Sequence, residues 1–73
     1  MRIYEKTYFG EKDGVEYVLR TTAGSFNQTR LSKSIPYKLP SGAEKMESVL
    51  VEQVDRFMPT DEEVQRFFDE NAK

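Results

Sequence analysis

Asp13-Gly14, set between two runs of β-favouring residues, constrains this chain more than any other feature. Ile3, Tyr4, Thr7, Tyr8 and Phe9 favour extended backbone, so residues 2–9 read as a strand. Val15, Tyr17 and Leu19 alternate along a second strand, residues 15–22. The two therefore form an antiparallel hairpin, and two loops fit it. Asp13-Gly14 makes a two-residue type I′ turn, or Lys12-Asp13 centres a three-residue loop with Gly14 left-handed in a bulge. The choice decides which side chains share a face, because a slip of one residue inverts the pairing. The two-residue loop groups Ile3, Glu5, Phe9, Glu16, Val18 and Arg20, a poor core. The three-residue loop groups Ile3, Thr7, Phe9, Val15, Tyr17 and Leu19, a coherent apolar face, and is adopted on that ground. It predicts that Tyr4, Lys6, Tyr8, Val18 and Arg20 lie opposite.

Gly24, Ser25, Asn27 and Gln28 mark a loop, with Phe26 read as a plug closing the core. A third strand is expected over residues 30–35, placing Leu31, Lys33 and Ile35 on one side and Arg30, Ser32 and Ser34 on the other. Lys33 on the packed side suits an edge strand, and Pro36 ends that strand or marks it as an edge. Ser41-Gly42-Ala43-Glu44 has the form of a capping box. The helix it opens carries a stripe of Met46, Leu50, Val54 and Phe57 at three- to four-residue spacing and stops before Pro59. Thr60-Asp61-Glu62-Glu63 is a second capping box, opening a short helix with Val64, Phe67 and Phe68 on one side and a fraying end at Asn71-Ala72-Lys73.

The expectation is one α+β domain over residues 1–73. It has a three-stranded antiparallel sheet packed on one face by a helix, followed by a second short helix, in the order β-β-β-α-α. A sheet covered on one face leaves its other face in water.

The chain has 73 residues with neither cysteine nor histidine, which excludes disulfide scaffolds, thiolate metal sites and imidazole catalysis. No phosphate-binding glycine loop, nucleophile elbow or helical zinc pair is present. Asp61-Glu62-Glu63 is the densest carboxylate group. Successive helical residues diverge by about 100°, so the group suits a helix N-terminus better than a cation. The reading is a non-enzymatic chain without cofactor or metal, and no stretch approaches a membrane span. The first residues do not resemble a secretory signal, which together with the missing cysteines points to the cytoplasm.

Residues 17–43 hold Arg20, Arg30, Lys33 and Lys38 and no acid, while nine acids lie from Glu44 onward. The net charge is −2. The open sheet face is expected to present Tyr4, Lys6, Tyr8, Val18, Arg20 and Arg30. Tyr and Arg are frequent anchors of protein interfaces, and rings interleaved with cations also suit nucleic acid. The plainer account is that Tyr is a good strand residue with a wettable hydroxyl. The acidic C-terminal third is a second candidate surface, set against its reading as a solvated face.

The function expected is a small intracellular binding protein. It would occupy and modulate a larger macromolecule, in the manner of inhibitors that bacteriophages and mobile elements direct at nucleic-acid-handling host proteins. Direct nucleic-acid binding through the sheet face is the alternative, and homodimerisation through that face is a third arrangement.

Overall fold

The computed structural model describes residues 3–72. It contains β1 (Tyr4–Lys12), β2 (Val15–Ala23), β3 (Gln28–Lys38), β4 (Glu44–Val54) and α1 (Asp61–Asn71). The strands form one antiparallel sheet in the order β1-β2-β3-β4. The α+β class holds, but the expected three strands and two helices are replaced by four strands and one helix. Arg2, where the first strand was expected to begin, and Lys73, expected to fray, lie outside the described residues.

The β1–β2 turn is the two-residue one. Lys12 pairs with Val15, and Asp13 (φ 54°) and Gly14 (φ 80°) both lie in the left-handed region that a type I′ turn requires. Asp tolerates that conformation better than most residues and Gly has no penalty there. The three-residue bulged loop is thus corrected, and with it the faces. Tyr8 pairs with Leu19 and Gly10 with Tyr17 on one side of the sheet, while Phe9 pairs with Val18 on the other.

The second correction is residues 44–54, a strand rather than a helix. Gly42 N–H donates to Leu39 C=O at 2.9 Å and Leu39 N–H donates to Ala43 C=O at 2.8 Å, with Gly42 at φ 89°. This is a three-residue hairpin loop closed by a left-handed glycine, the loop type expected one hairpin earlier. Ser41 lies in that loop instead of capping a helix. Val49, Val51 and Val54 then turn toward the core side, where each is half-buried. Met46 and Leu50, the expected helix stripe, are 58% and 46% exposed. Spacing of four residues satisfies both a helix face and every second turn of a pleat, so the stripe did not discriminate. The edge of β3 did: β4 pairs with it from Thr29–Val54 to Lys38–Glu44, across an irregularity between Leu31 and Ser32.

Strand β3 is therefore internal, not an edge. Its pairing with β2 ends at Ser34, so Pro36 lies beyond the reach of β2. Alternation of hydrogen-bonding along the ladder directs the position of the missing Pro36 N–H to that vacant side. The β3–β4 hairpin consequently projects past the β1–β2 turn, and the molecule measures 45 × 27 × 15 Å.

The core lies between the sheet and the C-terminal segment. Tyr17, Leu19, Leu31, Met58, Val64, Phe67 and Ala72 are buried, with Tyr8, Val15, Val51, Val54 and Phe68 packed around them. The second capping box is as expected: Thr60 Oγ1 accepts from Glu63 N–H at 3.3 Å and caps α1. The helix continues further than expected, since Ala72 is buried and its N–H donates to Phe68 C=O at 2.8 Å. Phe68 lies over Gly10, where an added Cβ would sit 3.1 Å from its ring, and meets Tyr17 edge-on at 5.3 Å. Phe26 is no core plug; it is 56% exposed.

Residues 55–60 are fixed to the sheet by two fully buried threonines. Thr29 Oγ1 donates to Arg56 C=O at 2.6 Å, which uses its one proton. Thr21 Oγ1, 2.8 Å from Thr29 Oγ1, must therefore donate to it, and in turn accepts from Met58 N–H at 2.9 Å. Replacing Thr29 by Val leaves buried polar partners unpaired and is expected to cost about 1–3 kcal/mol in chemical denaturation. Leu31→Ala and Met58→Ala should each cost about 2–5 kcal/mol. Leu50→Ser, at the exposed position first assigned to the core, should leave the denaturation midpoint close to that of the parent.

Candidate functional site

Alpha helix α1 covers one face of the sheet, and the register arranges the uncovered face in rows. Phe9, Val18, Ser32 and Leu50 stand opposite one another across all four strands. The next row is Thr7, Arg20, Arg30 and Gln53, and beyond it lie Glu5, Thr22 and Gln28. On the other side of the apolar row, Glu11 and Glu16 face each other beside Ser34 and Ser48. Phe9 is 81% exposed, and Ile3, Phe26, Met46 and Leu50 are exposed as well. Clustered large apolar side chains on one face signify more than the same residues scattered singly.

The expected contact set is divided between the two faces. Val18, Arg20 and Arg30 are on the open face. Tyr4, Lys6 and Tyr8 are on the helix side, where each has a structural partner. Tyr4 packs edge-on against Phe57 at 5.5 Å, and Lys6 Nζ lies 5.8 Å from the centre of the Tyr4 ring. Hydrogen bonding with Tyr4 raises the Lys6 ammonium above its ordinary value. Tyr8 donates to Asp61 Oδ1 at 2.8 Å, joining β1 to the start of α1. Lys12 Nζ donates to Ala72 C=O at 2.9 Å, joining β1 to the end of the helix.

Sequence reasoning missed Ile3, Phe9, Phe26 and Leu50 as surface residues. The signal was in the two-residue turn. The group it produces, Ile3, Glu5, Phe9, Glu16, Val18 and Arg20, makes a poor core because it is the wet face.

Arg20 and Arg30 are direct cross-strand neighbours. Glu5 Oε1 lies 3.1 Å from Arg20 Nε, with both side chains about half exposed. Arg30 has no carboxylate partner among the described residues. Two open grooves meet at this pair. One, of about 290 Å³, is lined by Val18, Arg20, Arg30, Ser32 and Ser48. The other, of about 310 Å³, adds Ile3, Glu5, Thr22, Phe26 and Gln28 to the two arginines.

The acidic residues are also divided. Glu44, Glu47 and Glu52 lie on β4, whereas Asp61, Glu62 and Glu63 form the first turn of α1 and complement its N-terminal dipole. Glu63 Oε2 is 4.0 Å from Arg56. Among the described residues no cluster of three or more carboxylates is placed to hold a metal ion, and no helix is long and apolar enough to cross a membrane. No protein-family model, curated protein or solved structure matches the chain.

The Tyr8–Asp61 contact carries a pH signature. Asp61 accepts the Tyr8 proton and opposes a phenolate beside it, which raises Tyr8 above the ordinary tyrosine value of 10.0. A value raised by folding contributes stability below the unfolded value, lost as pH climbs through the folded one. As pH rises above about 10, the melting temperature should fall further for the parent than for Tyr8→Phe. Equal falls would show that the contact does not couple α1 to the sheet.

Proposed function

We propose that this chain is a non-enzymatic binding protein whose open sheet face docks a larger protein and modulates it by occupancy. The observation that carries the reading is the row of Phe9, Val18 and Leu50 running beside Arg20 and Arg30 on a face that no element of the described chain covers. Aromatic and arginine side chains at the centre of a patch are the usual energetic anchors of protein interfaces. A net negative charge and the absence of cysteine support the finer reading, a cytoplasmic modulator of the kind mobile elements encode against host proteins.

Nucleic acid is the second reading for the same face. It is favoured by the position of α1, whose acidic first turn lies on the opposite side of the sheet. A single strand held by Arg20 and Arg30 alone would show a shallow salt dependence, with a slope of about −1.4 in log K against log salt.

A photoreactive phenylalanine analogue in place of Phe9 or Leu50 should give a discrete protein adduct in cells of the source. The same analogue at Gln65 or Asp69, exposed on α1, should give none. Adducts confined to the helix positions would overturn the assignment of the sheet face. Adducts to DNA or RNA from position 9 would transfer it to the second reading.

A further inference from the structure

We infer that Arg20 and Arg30 form a receptor for a side-chain carboxylate, and that the segment docked on this face is an extended peptide stretch with one acidic residue between two apolar ones. The inference rests on the reading of the open face as a docking surface and specifies its chemistry.

Like charges directly opposite on neighbouring strands destabilise a sheet. Here two guanidiniums are opposed, and the Glu5 carboxylate pairs with Arg20 alone. The arrangement lacks one negative charge. Both grooves that meet at the pair add hydroxyl or amide groups, from Ser32 and Ser48 on one side and Thr22 and Gln28 on the other. A guanidinium matches a carboxylate through paired N–H donors, and the two arginines project from adjacent internal strands.

The flanking rows set what surrounds the acid. Successive residues on one face of a strand are about 6.6–6.8 Å apart. One such step from the arginine row leads to Phe9, Val18 and Leu50, and one step the other way leads to Thr22, with Ile3 and Phe26 beside it. An extended peptide lying along the strands has the same repeat. With its acid over the arginines, the side chains two residues before and after it fall on the two apolar zones.

Other occupants fit less well. A second copy stacked face to face about the pair would bring four guanidiniums together with two Glu5 carboxylates. A nucleic-acid strand needs cations along its path, whereas Glu11 and Glu16 lie beyond the apolar row and Glu5 lies on the other side, confining positive charge to a single row.

The test is an NMR titration of isotope-labelled protein with the blocked peptide Ser-Phe-Ser-Asp-Ser-Phe-Ser, its Asn-for-Asp counterpart, and a fifteen-nucleotide oligothymidine. The Asp peptide should shift the amides of Val18, Arg20, Arg30 and Ser32. Its affinity should exceed that of the Asn peptide by about tenfold or more, as loss of a charged hydrogen bond implies. Arg30→Gln, at an exposed position, should abolish that difference and raise the melting temperature of the free protein. Equal binding of the two peptides on this face would overturn the carboxylate receptor and leave the docking surface standing. No shift from either peptide, or a stronger response to oligothymidine, would also overturn it. Failure of the docking surface itself would appear separately, as crosslinking from the helix positions alone.

Discussion

The threonine relay between Thr21 and Thr29 is the interaction on which the remaining architecture depends. A flat antiparallel sheet has no intrinsic preference for which face a C-terminal helix covers. Here residues 55–60 must leave the end of β4 and cross the sheet, and their backbone must be satisfied once it is buried. Thr29 takes Arg56 C=O, Thr21 takes Met58 N–H, and the two hydroxyls are bonded to each other. That brings Met58 into the core and sets Thr60 to cap α1. From Asp61 at Tyr8 to Ala72 at Lys12, the helix then runs in the direction of β1. The open face is open because of where this crossing is held.

The second constraint is local and works through handedness. Asp13 and Gly14 both take positive φ, which fixes a two-residue turn and pairs Lys12 with Val15. Every residue of β1 is thereby assigned to a face. The Asp-Gly pair was legible, but apolar patterning argued against it. Ile3, Phe9 and Val18 offer about as much apolar surface as Tyr8, Val15 and Tyr17, so hydrophobicity did not separate core from surface. An exposed face that carries large apolar side chains resembles a core in composition, and pattern reading alone treats the two alike.

How much was legible differed by element. The helix over residues 61–71 was marked by its own cap and by Val64 and Phe67 at helical spacing, all within one short stretch. The first two strands and their hairpin were equally local. Strand β4 was not, since the four-residue spacing of Met46 and Leu50 suits either a helix or a pleat, and an irregularity opposite Leu31 and Ser32 turns Val54 to the other face. Its state depends on the edge of β3, a partner more than ten residues away in sequence for most of its pairs. Of the six expected contact residues, Val18, Arg20 and Arg30 stand together on the open face. Tyr4, Lys6 and Tyr8 support the helix side instead, because one residue of register moved them there.

The sequence by itself determined the position of the first hairpin, the loop after β2, the Thr60 cap of the helix, the α+β class and the absence of thiol and imidazole side chains. Each of these is a property of a few adjacent residues or of composition. The tertiary structure alone decided the fourth strand, which face of the sheet the helix covers, and the pairing of Arg20 with Arg30. Those depend on hydrogen bonds between segments distant along the chain, and where two local conformations are close in energy it is the long-range partner that selects between them.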